Sequence, residues 1–171
     1  MTTVVHHFFR ENLELKKVLE SAKEVSLLQT VESSLSKSLA LAVGSYFENE
    51  VTLLIEQFAN KKSHGCAELV SLVKIKALTR QYHTLFDWEK TNANKFFSLF
   101  GEDFKKRAEE DIKNSNELKD SIKSFLELGE LRNKVVHQNY ASFTTDKTSE
   151  EIFSSFEKAL FFVEYIKKKF E

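Results

Sequence analysis

Residues 116–138 read NELKDSIKSFLELGELRNKVVHQ. Successive residues of an α-helix lie about 100° apart around its axis, so apolar residues three or four positions apart share one face. Such residues fall within one narrow arc here, at Leu118, Ile122, Phe125, Gly129 and Val136. The stretch therefore predicts a long helix that buries this arc against the rest of the protein.

The segments on either side also predict helices. Apolar periodicity and helix start and stop signals place them at about residues 4–23, 33–60, 66–89 and from 148 onward, with a short one near 94–100. Thr148 and Glu151 have the spacing of a capping box, which marks the start of the last helix. Residues 102–114 are rich in charge and leave two alternatives open, an exposed helix or a frayed segment.

The composition agrees with a helical fold. The chain has no proline and only four glycines, fewer turn residues than β-sandwiches, barrels or doubly wound sheets need. We therefore expect an all-α protein, an up-and-down bundle of about five main helices. With 171 residues, of which 42% are hydrophobic, residues 1–171 suit one globular domain. The 16 phenylalanines predict packed seams between the helices.

Charge and targeting signals exclude several classes of protein. The net charge of −1 is unlike that of a protein that coats nucleic acid, so any RNA contact is expected at a local site. A single cysteine, Cys66, cannot form an intrachain disulfide, and the N-terminus lacks the pattern of a secretory signal, which predicts a cytoplasmic location. The longest apolar runs, at 39–43 and 159–163, are far shorter than the roughly 20 residues that span a bilayer, so no membrane partner is expected.

Two polar residues interrupt the apolar arc of the 116–138 helix. Arg132 and Asn133 lie inside this arc. An unpaired buried charge costs several kcal/mol, so the arginine needs a partner or a wet cleft. Gly129, one turn earlier, weakens the helix relative to alanine and indicates that another backbone comes close there.

His137 follows Asn133 by one helical turn, so the asparagine amide can hydrogen-bond to the imidazole and orient it. Arg132 and His137 point about 140° apart around the axis, so one helix aims them poorly at one spot. Two such helices about a two-fold axis can combine an arginine and a histidine from each in one cleft. Arginine can stabilise the charge of a pentavalent phosphate, and histidine can move protons to and from a ribose 2′-hydroxyl and the leaving oxygen.

The same helix resembles a known signature. The motif ELRNKVVH at residues 130–137 resembles the Arg-Asn-x₃-His motif of the HEPN superfamily (higher eukaryotes and prokaryotes nucleotide-binding). The stretch SYFENE at residues 45–50 is similar to the superfamily's aromatic-plus-Glu helix. The stretch NKFFSLFG at residues 94–101 is similar to a segment of its stand-alone prokaryotic branch, RiboL-PSP. The resemblance covers about residues 30–170.

This resemblance implies a dimeric helical bundle whose motif helices meet at the interface. Many members are metal-independent endoribonucleases of toxin–antitoxin or anti-phage systems. The resemblance therefore also implies this activity, with RNA as the substrate and an antitoxin or sensor subunit as a further partner. Arg132 and His137 match the catalytic pair, and Asn133 matches the polar residue after the arginine. Glu48 corresponds to an acidic residue that supports the arginine.

One departure and one alternative accompany the resemblance. Many members have glycine directly after the histidine, whereas Gln138 and Asn139 stand here, and Asn139 can serve as the left-handed helix end. Some HEPN domains are only dimerisation or nucleotide-binding modules. In such a module Arg132 would be paired with Glu48 or Glu50 in a structural ion pair.

Other chemical sites have little support in the sequence. His64 and Cys66 offer two zinc ligands without a second pair, and a structural zinc site needs four, so no metal is expected. The sequence has no phosphate-binding loop, dinucleotide fingerprint or serine-hydrolase elbow, which predicts no cofactor.

Overall fold

The structure, a computed structural model, describes residues 2–171. These residues form α-helices, one π-helical segment and no β-strand, which confirms the all-α prediction. The helices in chain order are α1 (Val4–Ser21), α2 (Val25–Lys62), α3 (Ala67–Val73), α4 (Tyr82–Leu85), α5 (Asn94–Ser98), α6 (Glu102–Lys113), α7 (Asn116–His137) and α8 (Ser149–Phe170), with the π-helical segment Lys74–Leu78 after α3.

Helices α2, α7 and α8 meet at a core rich in phenylalanine. The ring of Phe125 on α7 lies 5.0 Å from Phe47 on α2 and 5.1 Å from Phe162 on α8, measured between ring centroids. Phe86, in the connection between α4 and α5, stacks on Phe96 of α5 at 4.7 Å and lies 5.0 Å from the ring of Phe125. Such aromatic contacts add to the stabilisation from burial itself, and they confirm the predicted seams.

The start of α8 is tied to two other helices. The Thr148 hydroxyl accepts a hydrogen bond from the Glu151 amide at 3.2 Å, and the Glu151 carboxylate accepts one from the Thr148 amide at 2.8 Å, which forms the predicted capping box. Glu32 on α2 accepts hydrogen bonds from the Ser149 amide at 2.8 Å and from Lys16 of α1 at 2.6 Å. These contacts fix α1, α2 and α8 relative to one another.

The helix predicted at 66–89 is wrong as a single element. It breaks into α3, the π-helical segment and the single turn α4, because Arg80 has a positive φ of 59° that no helix continues through. The break lets the chain turn inward, and Tyr82 and Leu85 are buried as a result. Apolar periodicity carried no sign of this turn, since the apolar residues keep their helical spacing across it.

One further boundary differs from expectation, and at residues 102–114 the structure decides between the two open alternatives. Helix α2 begins at Val25 instead of about residue 33, two residues after Lys23, whose φ is 59°. The charged segment 102–114 is a helix, α6, whose only buried residue is Ala108. The long helices within residues 2–171 are therefore α1, α2, α6, α7 and α8. Their number matches the predicted five, but α6 is among them and the predicted 66–89 helix is not.

The buried arc of α7 is confirmed over its first half and shifts near its end. Leu118, Ile122 and Phe125 are buried, but Val136 is 49% exposed and Val135 is buried in its place. Val135 packs with Ala40 and Phe143 in a small separate cluster. Near the end of α7 the buried position is therefore one residue earlier than the predicted arc places it. The end of this helix therefore presents Val136 to the surface.

Among residues 2–171, none of the helices has the length and apolarity needed to cross a membrane.

Candidate active site

Helices α2 and α7 pair in opposite chain directions, and this pairing positions the motif residues. Advancing along α7 corresponds to going backward along α2. The facing pairs are Phe47–Phe125, Gly44–Arg132, Ala40–Val135 and Lys37–Tyr140. Helix α2 therefore contacts α7 at Arg132 and Val135 and the following turn at Tyr140.

Arg132 crosses α2 at a glycine. A Cβ atom at Gly44 would lie 2.5 Å from Cγ and 2.9 Å from Cβ of Arg132, closer than real Cβ atoms approach other atoms. The contact involves the base of the arginine side chain rather than its flexible end. Only glycine at this position lets the side chain of Arg132 lie across α2.

The guanidinium of Arg132 is held at the edge of the molecule. Its Nη2 lies 3.4 Å from Oε2 of Glu48, and its Nη1 donates a hydrogen bond to Oδ1 of Asn133 at 3.2 Å. The side chains of Arg132 and Glu48 are 28% and 40% exposed. A guanidinium has five N–H donors, so two contacts leave donors for a ligand, and an ion pair this exposed contributes little to stability.

One residue near this ion pair, Tyr82, was not predicted from the sequence. Tyr82 is buried, and burial raises the pKa of its hydroxyl well above the usual value. The negative charge of Glu48 raises this pKa further, whereas the positive charge of Arg132 lowers it. The hydroxyl is therefore a neutral group within the field of the ion pair, and only the break before α4 brings it there.

A second residue that was not predicted near the motif is Trp88. A Cβ atom at Gly129 would lie 2.1 Å from Cζ3 of Trp88, so the indole covers this glycine one turn before Arg132. The predicted close approach at Gly129 is confirmed, but the partner is an aromatic side chain and not another backbone. Trp88 donates its Nε1–H to the carbonyl of His83 at 2.9 Å, which fixes the ring.

His137 is the last residue of α7, and its side chain is exposed. In the part of the chain that the structure describes, the imidazole has no hydrogen-bond partner, and no contact joins it to Arg132. The expected bond from Asn133 to the imidazole is wrong: within residues 2–171 the Asn133 amide contacts Arg132, from which its oxygen accepts, and not His137. One chain thus places Arg132 and His137 on the same helix without bringing them to one point.

The end of α7 also differs from expectation. Gln138 is extended, with a φ of −97° and a ψ of 166°, and Asn139 is not in the left-handed region. Asn139 stabilises the following turn differently: its side-chain oxygen accepts from the Ala141 amide at 3.1 Å, and its carbonyl accepts from the Phe143 amide at 2.8 Å. This turn returns the chain to the core at Phe143.

The weaker metal fragment gains no further ligand. The Cys66 thiol donates to Glu68 at 3.4 Å, and His64 lies in a turn with a φ of 53°. No group of three His, Cys, Asp or Glu side chains within residues 2–171 is arranged to hold a metal ion.

The comparisons with known proteins identify the family of the chain. The family model described as RiboL-PSP-HEPN matches residues 7–171, which extends the resemblance from about residue 30 back into α1. No curated protein and no solved structure matched the chain. A family model that covers nearly the whole sequence, together with the helical fold, establishes the family. The chain therefore belongs to the RiboL-PSP-HEPN family of the HEPN superfamily.

Proposed function

We propose that the protein is a metal-independent endoribonuclease that cuts RNA in a site shared by two copies of the chain. The observation that carries the proposal is the placement of Arg132, whose guanidinium is held by Glu48 at the protein edge while donors remain free. Gly44 in the facing helix lets the side chain of Arg132 cross α2. A purely structural ion pair would not require such a glycine.

The reaction is an attack of the ribose 2′-oxygen on the adjacent phosphorus. The bond from phosphorus to the 2′-oxygen forms, the bond to the 5′-oxygen breaks, and the products carry a 2′,3′-cyclic phosphate and a 5′-hydroxyl. Arg132 stabilises the negative charge that builds up on the phosphate oxygens, and Glu48 and Asn133 hold the guanidinium in place.

His137 performs the proton transfers in this proposal. A histidine accepts the proton of the 2′-hydroxyl or donates one to the leaving 5′-oxygen, since its ordinary pKa lies near neutrality. The imidazole is exposed and without a partner in residues 2–171, so a substrate can reach it.

The geometry favours a homodimer because Arg132 and His137 of one chain point in different directions around the axis of α7. A second copy packed about a two-fold axis would bring an arginine and a histidine from each helix into one cleft. Val136, beside His137, is an exposed apolar side chain at the place where such an interface would form. The biological role we propose is that of a toxin or an anti-phage defence RNase in the cytoplasm, with an antitoxin or sensor subunit as a further partner.

A second function has one observation in its favour. Arg132 already has a carboxylate partner within its own chain, Glu48, as expected of a catalytically inactive dimerisation or nucleotide-binding module. In that case the motif residues would support the fold or bind a ligand without cutting it.

One experiment separates these functions. The purified protein and the variant His137→Ala are incubated with total RNA and with DNA, each with and without EDTA. We expect wild-type cleavage that EDTA leaves intact, cyclic phosphate ends, no cleavage of DNA because it lacks the 2′-hydroxyl, and no cleavage by the variant. A requirement for Mg²⁺, or cleavage by the variant, would contradict the mechanism, and RNA left intact in every arm would favour the module.

A further inference from the structure

The turn after α7 holds an aromatic ring in a fixed position at the surface. Tyr140 is 44% exposed, yet three contacts restrain it. Its carbonyl accepts a hydrogen bond from Lys37 Nζ at 3.2 Å, the same Nζ lies 4.8 Å from the ring centroid, and its hydroxyl lies 3.4 Å from Oγ of Ser38. Such a ring loses little conformational freedom when a ligand packs on it.

Lys37 is itself an unusual residue. It is only 8% exposed, and long charged side chains are seldom buried without a carboxylate partner. In the part of the chain that the structure describes, its ammonium contacts a carbonyl and a ring face but no carboxylate. No carboxylate within residues 2–171 neutralises this charge by direct contact, so an anionic ligand at the surface around Tyr140 would be stabilised by it.

The ring lies next to the proposed active site. Lys37 and Gly44 are seven residues apart on α2, which is two helical turns, so they share one face of that helix about 10 Å apart. Tyr140 follows His137 by three residues, which limits the distance between their Cα atoms to about 11 Å. An RNA strand bound at Arg132 and His137 can reach the ring with the nucleotide next to the scissile phosphate.

We propose that Tyr140 is a stacking platform for a nucleobase of single-stranded RNA and that Lys37 fixes this platform from behind. The proposal rests on the proposed function and names its substrate class. Stacking on an aromatic ring needs an unpaired base, because a base inside a duplex has both faces covered. The site would therefore take loops, bulges or ends of RNA in preference to helices.

The test measures binding separately from cleavage. The probe is a short single-stranded oligoribonucleotide with 2′-O-methyl groups throughout, which cannot undergo the reaction, and its dissociation constant is measured by fluorescence anisotropy. We expect Tyr140→Ala to weaken binding about tenfold, Tyr140→Phe to stay near wild type because the ring remains, and Lys37→Met to weaken binding by a smaller factor. A duplex of the same sequence should show no such difference.

The matched control is Phe161→Ala, which removes a ring of similar exposure, 39%, from α8. It should leave binding unchanged. Circular dichroism melts and light scattering on each variant show whether the fold and the oligomeric state are preserved. A Tyr140→Ala protein that alters the oligomeric state would assign the ring to a contact between copies and overturn the platform.

The remaining outcomes separate the platform from the nuclease. If wild type cuts RNA and Tyr140→Ala binds the probe as tightly as wild type, the platform is wrong and the proposed function stands. If wild type neither binds the probe nor cuts any RNA, both proposals are wrong. If the wild-type protein binds the probe but cuts no RNA, and Tyr140→Ala binds the probe more weakly, the platform is supported and the nuclease is not.

Discussion

At the scale of single residues, the motif pair should affect rate more than stability. Arg132→Ala removes charge stabilisation and His137→Ala removes proton transfer, so each should lower the cleavage rate by about 10² or more. Asn133→Ala should have a milder effect, since it removes only a hydrogen bond to the guanidinium. Rates on RNA together with thermal melting temperatures provide the measurement.

Both side chains are at least partly exposed, so neither alanine variant is expected to unfold the protein. An Arg132→Ala protein that unfolds, combined with a fully active His137→Ala protein, would show that the arginine is structural and would favour the inactive module.

Gly44 should matter as much as a site residue although it carries no functional group. The added methyl of Gly44→Ala would lie 2.5 Å from Cγ of Arg132, so it should push the guanidinium away from Glu48 and lower the rate at least about tenfold. Overpacking of this kind costs about 1–3 kcal/mol of the unfolding free energy, partly offset by the higher helix propensity of alanine.

The neighbouring exposed residue supplies the control, since Ser45→Ala lies on the same helix and should change neither rate nor stability. A Gly44→Ala protein that cuts RNA at the wild-type rate would mean that the crossing of Arg132 over α2 is not needed for activity.

Only some of the individual site residues could be predicted from the sequence. Arg132 could be singled out because a charge within an apolar arc needs a partner, and Glu48 because the resemblance pointed to it. Gly44 carried a usable signal, a glycine inside a long helix, which indicates a close approach. Tyr82 carried none, because its place beside the ion pair depends on a turn that apolar spacing does not reveal.

At the scale of helices, the sequence predicted elements whose apolar stripes pack against one layer of neighbours, such as α7 and α8. It failed at 66–89, where the spacing of apolar residues continues through a change of chain direction. There the π-helical segment and the positive φ of Arg80 replace a regular helix. Backbone breaks of this kind depend on tertiary packing, which outweighs local propensity.

The tie between α1, α2 and α8 predicts how stability depends on pH. Burial alone would raise the pKa of Glu32, but hydrogen bonds from Lys16 and Ser149 outweigh it and hold this pKa below the ordinary 4.5. A lowered pKa in the folded state stabilises the protein above pH 4.5, and that contribution disappears as the pH falls through the folded-state value. The unfolding free energy should therefore decline in acid below about pH 4.5.

The variant Glu32→Gln should lower the unfolding free energy at pH 7 by about 1–2 kcal/mol and make the acid decline shallower. Some decline should remain, because hydrogen bonds from Lys169 and Tyr165 outweigh burial and lower the pKa of Asp111 in the same way. Urea denaturation at several pH values measures both effects. An acid decline as steep in Glu32→Gln as in wild type would show that the tie does not contribute.

At the scale of the whole molecule, activity should require two copies of the chain. The exposed Val136 lies beside His137 at the end of α7, so an interface formed by the motif helices would bury it. An aspartate there would place an unpaired charge in that interface, which costs several kcal/mol. The variant Val136→Asp should therefore be a monomer at micromolar concentration and should lose RNA cleavage in parallel.

A second substitution tests whether the effect is specific to this surface. Leu99→Asp changes a similarly exposed apolar side chain just after α5, and it should leave the oligomeric state and the activity as they are in wild type. Light scattering, circular dichroism and the cleavage assay on both variants complete the test. A folded Val136→Asp monomer that cuts RNA at the wild-type rate would show that one chain suffices for cleavage. The substrate itself would then have to span the separation between Arg132 and His137 of one helix, without a second helix.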